Sequence, residues 1–175
     1  GLESGDPIAE VDLIGFSLGY EMSYTNAVNM LDLAGLPLRA ADRPDLTPIV
    51  VAGGTCAYNP EPLAPFIDFF VLGEGEDVTL EYIQLYRKAR EEDWSKEEFL
   101  LEAAKIPGIY VPSLYQPVYR EDGTLEEVRA LEGAPETVTK RIVQDLDKAY
   151  FPVDTIIPST EIVHDRVMLE LFRGC

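Results

Sequence analysis

The chain has 175 residues, of which 46% are hydrophobic and 26% are charged, a composition typical of a globular protein that can bury a core. Lys and Arg number 14 against 32 Asp and Glu, so the formal net charge is -18. Such a charge repels phosphate, and this segment therefore has no electrostatic footprint for DNA or RNA. No apolar run approaches the roughly 18 residues of a membrane span, so no membrane-spanning helix is expected.

The chain has two cysteines and one histidine. Cys56 and Cys175 are too few for a disulfide scaffold, and a reducing cytoplasm is the expected compartment. No cation stands near Cys56 in the sequence, which favours a structural thiol over a reactive one. His164 alone cannot build a classical zinc site. It could form a dyad with Asp165, but no nucleophile is evident, and a hydrogen-bonding role is the simpler interpretation.

The first half of the chain alternates between strand-like and helix-like segments. Residues 11–18 (VDLIGFSL) are almost continuously apolar, which is typical of a strand buried on both faces of a parallel sheet. Apolar residues at helical spacing then predict a helix that begins near Ser23 or Thr25 and ends at Gly35. Two further strands are predicted at 48–54 (PIVVAGG) and 68–76 (DFFVLGEGE), with room for one short helix between them.

Two helices follow the third predicted strand. Apolar residues recur on one helical face over residues 77–92, which predicts a long amphipathic helix. The capping-box pattern S-x-x-E at Ser95–Glu98 predicts the start of another helix, which extends to about Lys105. Strands that alternate with helices in this order predict an α/β fold built on a parallel sheet with right-handed crossovers.

The pattern changes after Pro107. Residues 108–133 are strand-like on both sides of Asp122-Gly123, which predicts a hairpin, and an extended linker follows. The apolar run DRVMLELF (165–172) is predicted to be the first strand of a second domain. The predicted division of the chain is an α/β domain at 1–106, a hairpin and linker at 107–158, and the start of a second domain at 159–175.

All three predicted strands end in glycine-rich sequence, at the edge of a parallel sheet where ligands bind. Glycine lets a ligand approach the backbone closely, which suits a nucleotide-like or tetrapyrrole ligand. None of these ends is a G-x-G-x-x-G or G-x-x-x-x-G-K phosphate loop. Tight turns alone would also explain the glycines, so both interpretations stay open. The residues at the three ends are Ser17, Gly53, Gly54, Gly73 and Gly75.

Two glutamates stand among these glycines. Glu74 and Glu76 could form a carboxylate pair for acid–base chemistry. They could equally complement the positive end of the helix that follows them. The sequence favours the second role, because acidic residues are common at helix N-termini.

Three stretches together resemble radical S-adenosylmethionine enzymes with an N-terminal cobalamin-binding-like domain, in particular a subgroup of uncharacterised bacterial proteins. The resemblance implies a partial Rossmann-like sheet, followed by a hairpin and linker and by the first strand of a truncated radical S-adenosylmethionine barrel. The stretches are DLIGFSLGYEMSYTNAVNMLDLAGLPLRAADR (12–43), PIVVAGGTCAYNPEPLAPFIDFFVLGEGE (48–76) and STEIVHDRVMLELFRGC (159–175).

The resemblance assigns a role to the end of the chain. In such enzymes the pattern E-x-x-R-G-C, here Glu170 to Cys175, carries the first cysteine of C-x-x-x-C-x-x-C. Three thiolates of this kind hold a [4Fe–4S] cluster and leave one iron open for S-adenosylmethionine. Cys175 would be the first ligand, and the other two would lie beyond this segment. The segment by itself is therefore expected to be inactive.

The resemblance also implies that Ser17, Gly53, Gly54, Gly73 and Gly75 line an edge that binds cobalamin or a related ligand. The D-x-H-x-x-G signature of cobalamin binding does not occur in this sequence. In the family that signature follows the first strand of the domain, whereas the strand at 11–18 resembles the third. A sheet without its first strands is expected to self-associate.

A second function class stays open. The acidic composition and the separate hairpin suggest a non-catalytic module that docks a substrate or a partner through its sheet edge. Tight binding of hydroxocobalamin would count against this alternative.

Overall fold

A computed structural model describes residues 4–154, 159–161, 163 and 169–173. A four-stranded sheet lies between one helix on one face and two helices on the other, and a two-stranded hairpin follows. The strands are β1 (Leu13–Ser17), β2 (Ile49–Gly53), β3 (Phe69–Val71), β4 (Ile109–Tyr110), β5 (Tyr115–Tyr119) and β6 (Leu125–Ala130), and the helices are α1 (Ser23–Leu33), α2 (Gly75–Glu91) and α3 (Lys96–Ala103).

The first three strands form the parallel part of the sheet, in the order β1-β2-β3. Ser17 lies opposite Gly53, so β1 and β2 end at the same level. Val51 lies opposite Phe69, and β3 therefore ends beside them. The α/β fold class with a largely parallel sheet is confirmed.

The fourth strand differs from the prediction. Ile109 and Tyr110 were assigned to the hairpin, but they pair antiparallel with β3, where Tyr110 lies opposite Phe70. The physical reason is burial, because Ile109 and Val111 are almost fully buried in the core and extend the sheet. The hairpin itself is β5 and β6, and its predicted turn is confirmed, with Gly123 at φ +82°.

Both faces of the sheet are covered, as expected for strands that are apolar throughout. Successive residues of β2 point to opposite faces: Val50 packs on the side of α1, and Ile49 packs on the side of α2 and α3. Phe69 joins the second face, where its ring meets Tyr82 edge-on at 5.3 Å and Phe99 at 6.2 Å. The sheet is therefore the middle layer of three.

The predicted capping box is confirmed at the start of α3. The Ser95 hydroxyl accepts a hydrogen bond from the backbone N–H of Glu98 at 3.2 Å, and the Glu98 carboxylate accepts one from the backbone N–H of Ser95 at 2.7 Å. Such a cap contributes about 1 kcal/mol to helix stability.

A buried charge cluster stabilises the amino-terminal edge of the sheet. The Asp68 carboxylate accepts a hydrogen bond from the backbone N–H of Val50 at 2.7 Å, which ties the start of β3 to β2. The Lys96 ammonium lies 2.7 Å from Asp68 Oδ1, and the Arg43 guanidinium lies 3.4 Å from Asp68 Oδ2. All three residues are at least nine-tenths buried. Sequence patterning gave no signal for this cluster.

The last described residues lack regular secondary structure. Residues 169–172 were predicted to belong to a strand, but they carry no strand assignment, and the side chains of Leu169, Leu171 and Phe172 are exposed. Residues 165–168 of that predicted strand lie outside the described part of the chain. Within the described ranges, no helix combines the length and the apolar character needed to cross a membrane.

Candidate functional site at the carboxyl edge of the sheet

The five predicted ligand-lining residues lie at one edge of the sheet. Because β1, β2 and β3 are parallel, their carboxyl ends meet there. The ends of the first two strands, Ser17 and Gly53, are direct neighbours. Gly54 follows β2, and Gly73 and Gly75 follow β3. The shared location is as predicted, while the role of these residues in ligand binding stays a prediction.

Gly54 allows the loops after β1 and β2 to cross. Its φ is +96°, and a Cβ atom at this position would lie 2.8 Å from the carbonyl oxygen of Leu18. Two hydrogen bonds fix the crossing. The Leu18 N–H donates to the carbonyl oxygen of Gly53 at 2.7 Å, and the Cys56 N–H donates to the carbonyl oxygen of Leu18 at 3.0 Å. Tight backbone packing therefore explains this glycine.

Gly73 is covered by the segment that follows the hairpin. Its φ is +109°, and a Cβ atom here would overlap with the backbone of Arg141. The Arg141 N–H donates to the Leu72 carbonyl at 2.8 Å, and the Glu74 N–H donates to the Arg141 carbonyl at 3.0 Å. Residue 141 thus extends the sheet beyond the end of β3, and it occupies the space that a ligand would need next to Gly73.

Side chains hold the same segment in place. The Arg141 guanidinium forms an ion pair with Glu81 on α2. The backbone N–H of Val143 donates a hydrogen bond to the Glu74 carboxylate. The predicted extended linker is therefore anchored on the loop after β3 and on the helix that follows this loop.

The two glutamates at this edge share an arginine. Arg173 Nη2 donates to Glu76 Oε1 at 2.5 Å, and Arg173 Nη1 lies 3.6 Å from Glu74 Oε2. The hydrogen bond from Arg173 lowers the pKa of Glu76, although partial burial acts in the opposite direction. Glu74 precedes α2 and makes no capping hydrogen bond, whereas Glu76 lies in the first turn of α2. Both carboxylates are therefore ion-pair partners, which neither predicted role included.

Other predicted residues are placed as follows. Cys56 is half-buried with a free thiol, and its carbonyl oxygen accepts a hydrogen bond from the Tyr24 hydroxyl at 2.8 Å. Cys175, the predicted metal ligand, and His164 both lie outside the described residues. Among the residues that the structure describes, no three His, Cys, Asp or Glu side chains are grouped so that they could hold a metal ion.

The comparisons with known proteins match this segment to one family. Residues 1–112 match the model of the N-terminal region of radical S-adenosylmethionine proteins. An uncharacterized protein of Methanocaldococcus jannaschii is 34% identical over 134 residues, which cover 69% of this chain and 27% of that protein. No solved structure matches the chain significantly. The chain therefore spans about a quarter of that relative, and it belongs to the family of radical S-adenosylmethionine proteins as part of their N-terminal region.

Proposed function

We propose that this chain is the N-terminal region of a radical S-adenosylmethionine enzyme, with Cys175 as the first thiolate ligand of a [4Fe–4S] cluster. Family membership and the pattern Glu170-Leu171-Phe172-Arg173-Gly174-Cys175 support the proposal. The remaining ligands would come from other parts of the full-length protein, so this segment by itself is proposed to be inactive. The cluster, when bound, supplies the electron that cleaves S-adenosylmethionine.

The observation that carries the proposal is the contact of Arg173 with the carboxyl edge of the sheet. Arg173 stands two residues before Cys175, and its guanidinium is held by Glu74 and Glu76. The α/β domain would thus present the cluster-binding segment at the edge where open parallel sheets bind their ligands.

The close packing at the glycines of this edge does not favour cobalamin. A corrin edge would need open backbone at the glycines, but Gly54 is in contact with Leu18, and Gly73 is in contact with Arg141. Ser17, Gly53 and Gly75 alone give no chemical reason to choose a tetrapyrrole.

A non-catalytic docking module is the alternative. One observation favours it, namely the apolar surface of the hairpin. The side chains of Tyr119, Leu125 and Val128 are 61%, 50% and 49% exposed. Tyr119 pairs with Leu125, and Val128 lies opposite Pro117, so all of them share one face of the hairpin. Such a face could bind a substrate or partner protein.

The test uses the full-length protein, purified without oxygen. Iron and sulfide content and the electron paramagnetic resonance (EPR) spectrum of the reduced sample report the cluster, and release of 5′-deoxyadenosine reports cleavage of S-adenosylmethionine. We expect Cys175→Ala to abolish both the cluster and the cleavage. Cys56→Ala is the matched control and should retain both, because Cys56 lies in a turn after β2.

Two results would redirect the assignment. A full-length protein that takes up no iron–sulfur cluster on reconstitution would overturn the enzyme proposal and favour the docking module. Stoichiometric binding of hydroxocobalamin would show that the edge opens to a corrin, against the close packing at Gly54 and Gly73.

A further inference from the structure

We propose that the loop after β3 is a docking site that positions the cluster-binding segment, with Glu74 and Glu76 as its positioning residues. This inference rests on the proposed function of Cys175 and adds a role for the sheet domain. The two glutamates would act through Arg173, and neither would touch the cluster or S-adenosylmethionine.

Three carboxylates surround the Arg173 guanidinium. Glu170, in the same segment, accepts from Arg173 Nε and from Nη2, both at 2.8 Å. Glu76 accepts from Nη2 at 2.5 Å, and Glu74 lies 3.6 Å from Nη1. The planar fork of arginine can satisfy several carboxylates at once, which a lysine ammonium cannot do with the same geometry.

The side chains in this contact are partly accessible to solvent. The side chain of Arg173 is 28% exposed, and those of Glu74 and Glu76 are 25% and 23% exposed. Surface ion pairs contribute little because water screens them, whereas partly buried pairs are screened less. If Arg173 were absent, the carboxylates of Glu74, Glu76 and Glu170 would lie close together and repel one another. The arginine is therefore what holds segment 170–173 against the loop.

The loop after β3 has a rigid backbone, because hydrogen bonds hold it to the segment that follows the hairpin. Glu74 donates its N–H to the Arg141 carbonyl, and its carboxylate accepts from the Val143 N–H. Glu76 lies in the first turn of α2, a helix of 17 residues that packs on the sheet. A site on such rigid elements holds its partner more precisely than a free loop would.

The docked arginine restricts the position of the cysteine. Two residues of extended chain span at most about 7 Å, so a fixed Arg173 would limit how far a ligand two residues later in the sequence can move. A cluster ligand that is already close to its bound position loses less conformational freedom when the cluster forms. Loss of the contact between Arg173 and the two glutamates is therefore expected to weaken the binding of the cluster and to change the environment of its iron atoms.

The first experiment compares variants of the full-length protein. Glu74→Gln, Glu76→Gln and the double variant remove carboxylate charge from the loop. Asp77→Asn is the matched control, since Asp77 lies in the same first turn of α2. Within the described ranges, its side chain forms neither a hydrogen bond nor an ion pair. We expect the double variant to release iron to a chelator at least about fivefold faster and to change the EPR spectrum of the reduced cluster. The control should match the parent protein.

The second experiment does not depend on the cluster. Tryptic cleavage after Arg173 is measured in the cluster-free protein, with circular dichroism to confirm that each variant folds. We expect faster cleavage in the double variant, but not in Asp77→Asn, because the guanidinium that trypsin recognises is engaged by Glu74 and Glu76 in the parent protein. Unchanged cleavage together with unchanged iron release would overturn the docking site. A parent protein without any cluster, but with the expected cleavage pattern, would overturn only the proposed function.

Discussion

The carbonyl oxygen of Arg141 lies in the space that the first side-chain atom of any residue other than glycine would need at Gly73. This contact closes the end of β3 with the protein's own backbone. It also explains why the sequence has a glycine at this point, because the backbone of Gly73 adopts a φ of +109°. The backbone of Arg141 thus joins the segment after the hairpin to the end of β3.

Replacing this glycine should therefore detach the segment. We expect Gly73→Ala to destabilise the protein by more than the roughly 1–2 kcal/mol that the left-handed backbone alone costs an alanine, because the added Cβ also overlaps with Arg141. Chemical denaturation measures the loss, and limited proteolysis near residue 141 reports the detachment.

Gly35→Ala is the control for backbone strain. Gly35 has φ +72°, but no atom lies within 4 Å of an added Cβ. If both variants lose the same stability and proteolysis near residue 141 stays unchanged, the close contact with Arg141 has no energetic importance.

The buried charge cluster predicts a large effect for Asp68→Asn. This change leaves the Lys96 and Arg43 cations buried without their counter-charge, in side chains that are 6% and 4% exposed. Breaking a buried ion pair on one side costs about 3–5 kcal/mol. The free energy of unfolding from urea titration checks the value.

The surface pair of Glu102 and Lys105 supplies the comparison. Their side chains are 41% and 54% exposed, so Glu102→Gln should cost less than about 1 kcal/mol. Equal losses in the Asp68 and Glu102 variants would mean that the buried cluster is hydrated in solution.

Tyr110 predicts a loss of stability at alkaline pH. Burial, together with the hydrogen bond that its hydroxyl donates to Glu61 at 2.5 Å, raises its pKa above the ordinary value of 10.0. The folded state keeps the proton after the unfolded chain has released it. The contribution of the Tyr110 hydroxyl to the free energy of unfolding is therefore fully present below about pH 10, and it is lost as the pH rises further.

The corresponding experiment is thermal unfolding between pH 8 and pH 11. Tyr110→Phe should weaken the dependence of the melting temperature on pH above pH 10. It should not remove that dependence, because burial also raises the pKa of Tyr115 and Tyr82. Tyr119→Phe, at an exposed position of the hairpin, serves as the control. An unchanged alkaline slope in Tyr110→Phe would contradict the prediction.

The free side of β1 predicts self-association of this segment. Within the described ranges β1 pairs only with β2, so its other side leaves backbone groups open to a further strand. Ile8 and Val11 beside it are 37% and 38% exposed. We expect light scattering to show dimers or larger species, most clearly at high salt, where the net charge of -18 is screened.

Gly15→Lys tests whether β1 is responsible. No atom lies within 4 Å of a Cβ added at Gly15, and a charge on an edge strand opposes pairing. The variant should be monomeric, whereas Asn29→Lys, which adds the same charge on α1, should still associate. A parent segment that is a monodisperse monomer at every salt concentration would disprove the prediction.

Local sequence signals predicted most of the fold. The continuous apolar runs identified β1, β2 and β3, and the capping box at Ser95 placed the start of α3 to the residue. Asp122-Gly123 identified the hairpin turn. These signals work because they act within one element and need no knowledge of its neighbours.

The parts of the fold that the sequence did not predict depend on contacts between residues that are far apart in the sequence. β4 is two residues long, which is too short to show the alternation of apolar and polar residues that marks a strand. Its direction is set by pairing with β3. Arg173 and Glu76 are 97 positions apart, and 32 acidic residues compete as partners in the sequence. The three glycine-rich strand ends share one edge of the sheet, as predicted, and ligand binding there stays a prediction. Nothing in the sequence indicated that Arg141 packs against this edge.

The hairpin offers a place to attach a probe. β4 runs antiparallel to β3, so the chain enters the hairpin from the edge opposite to Gly73 and Arg173. The hairpin tip at Asp122-Gly123 is exposed, and no atom lies within 4 Å of a Cβ added at Gly123. An affinity tag or fluorophore inserted there would immobilise or report on the protein at a distance from segment 169–173, since exposed turns tolerate insertions.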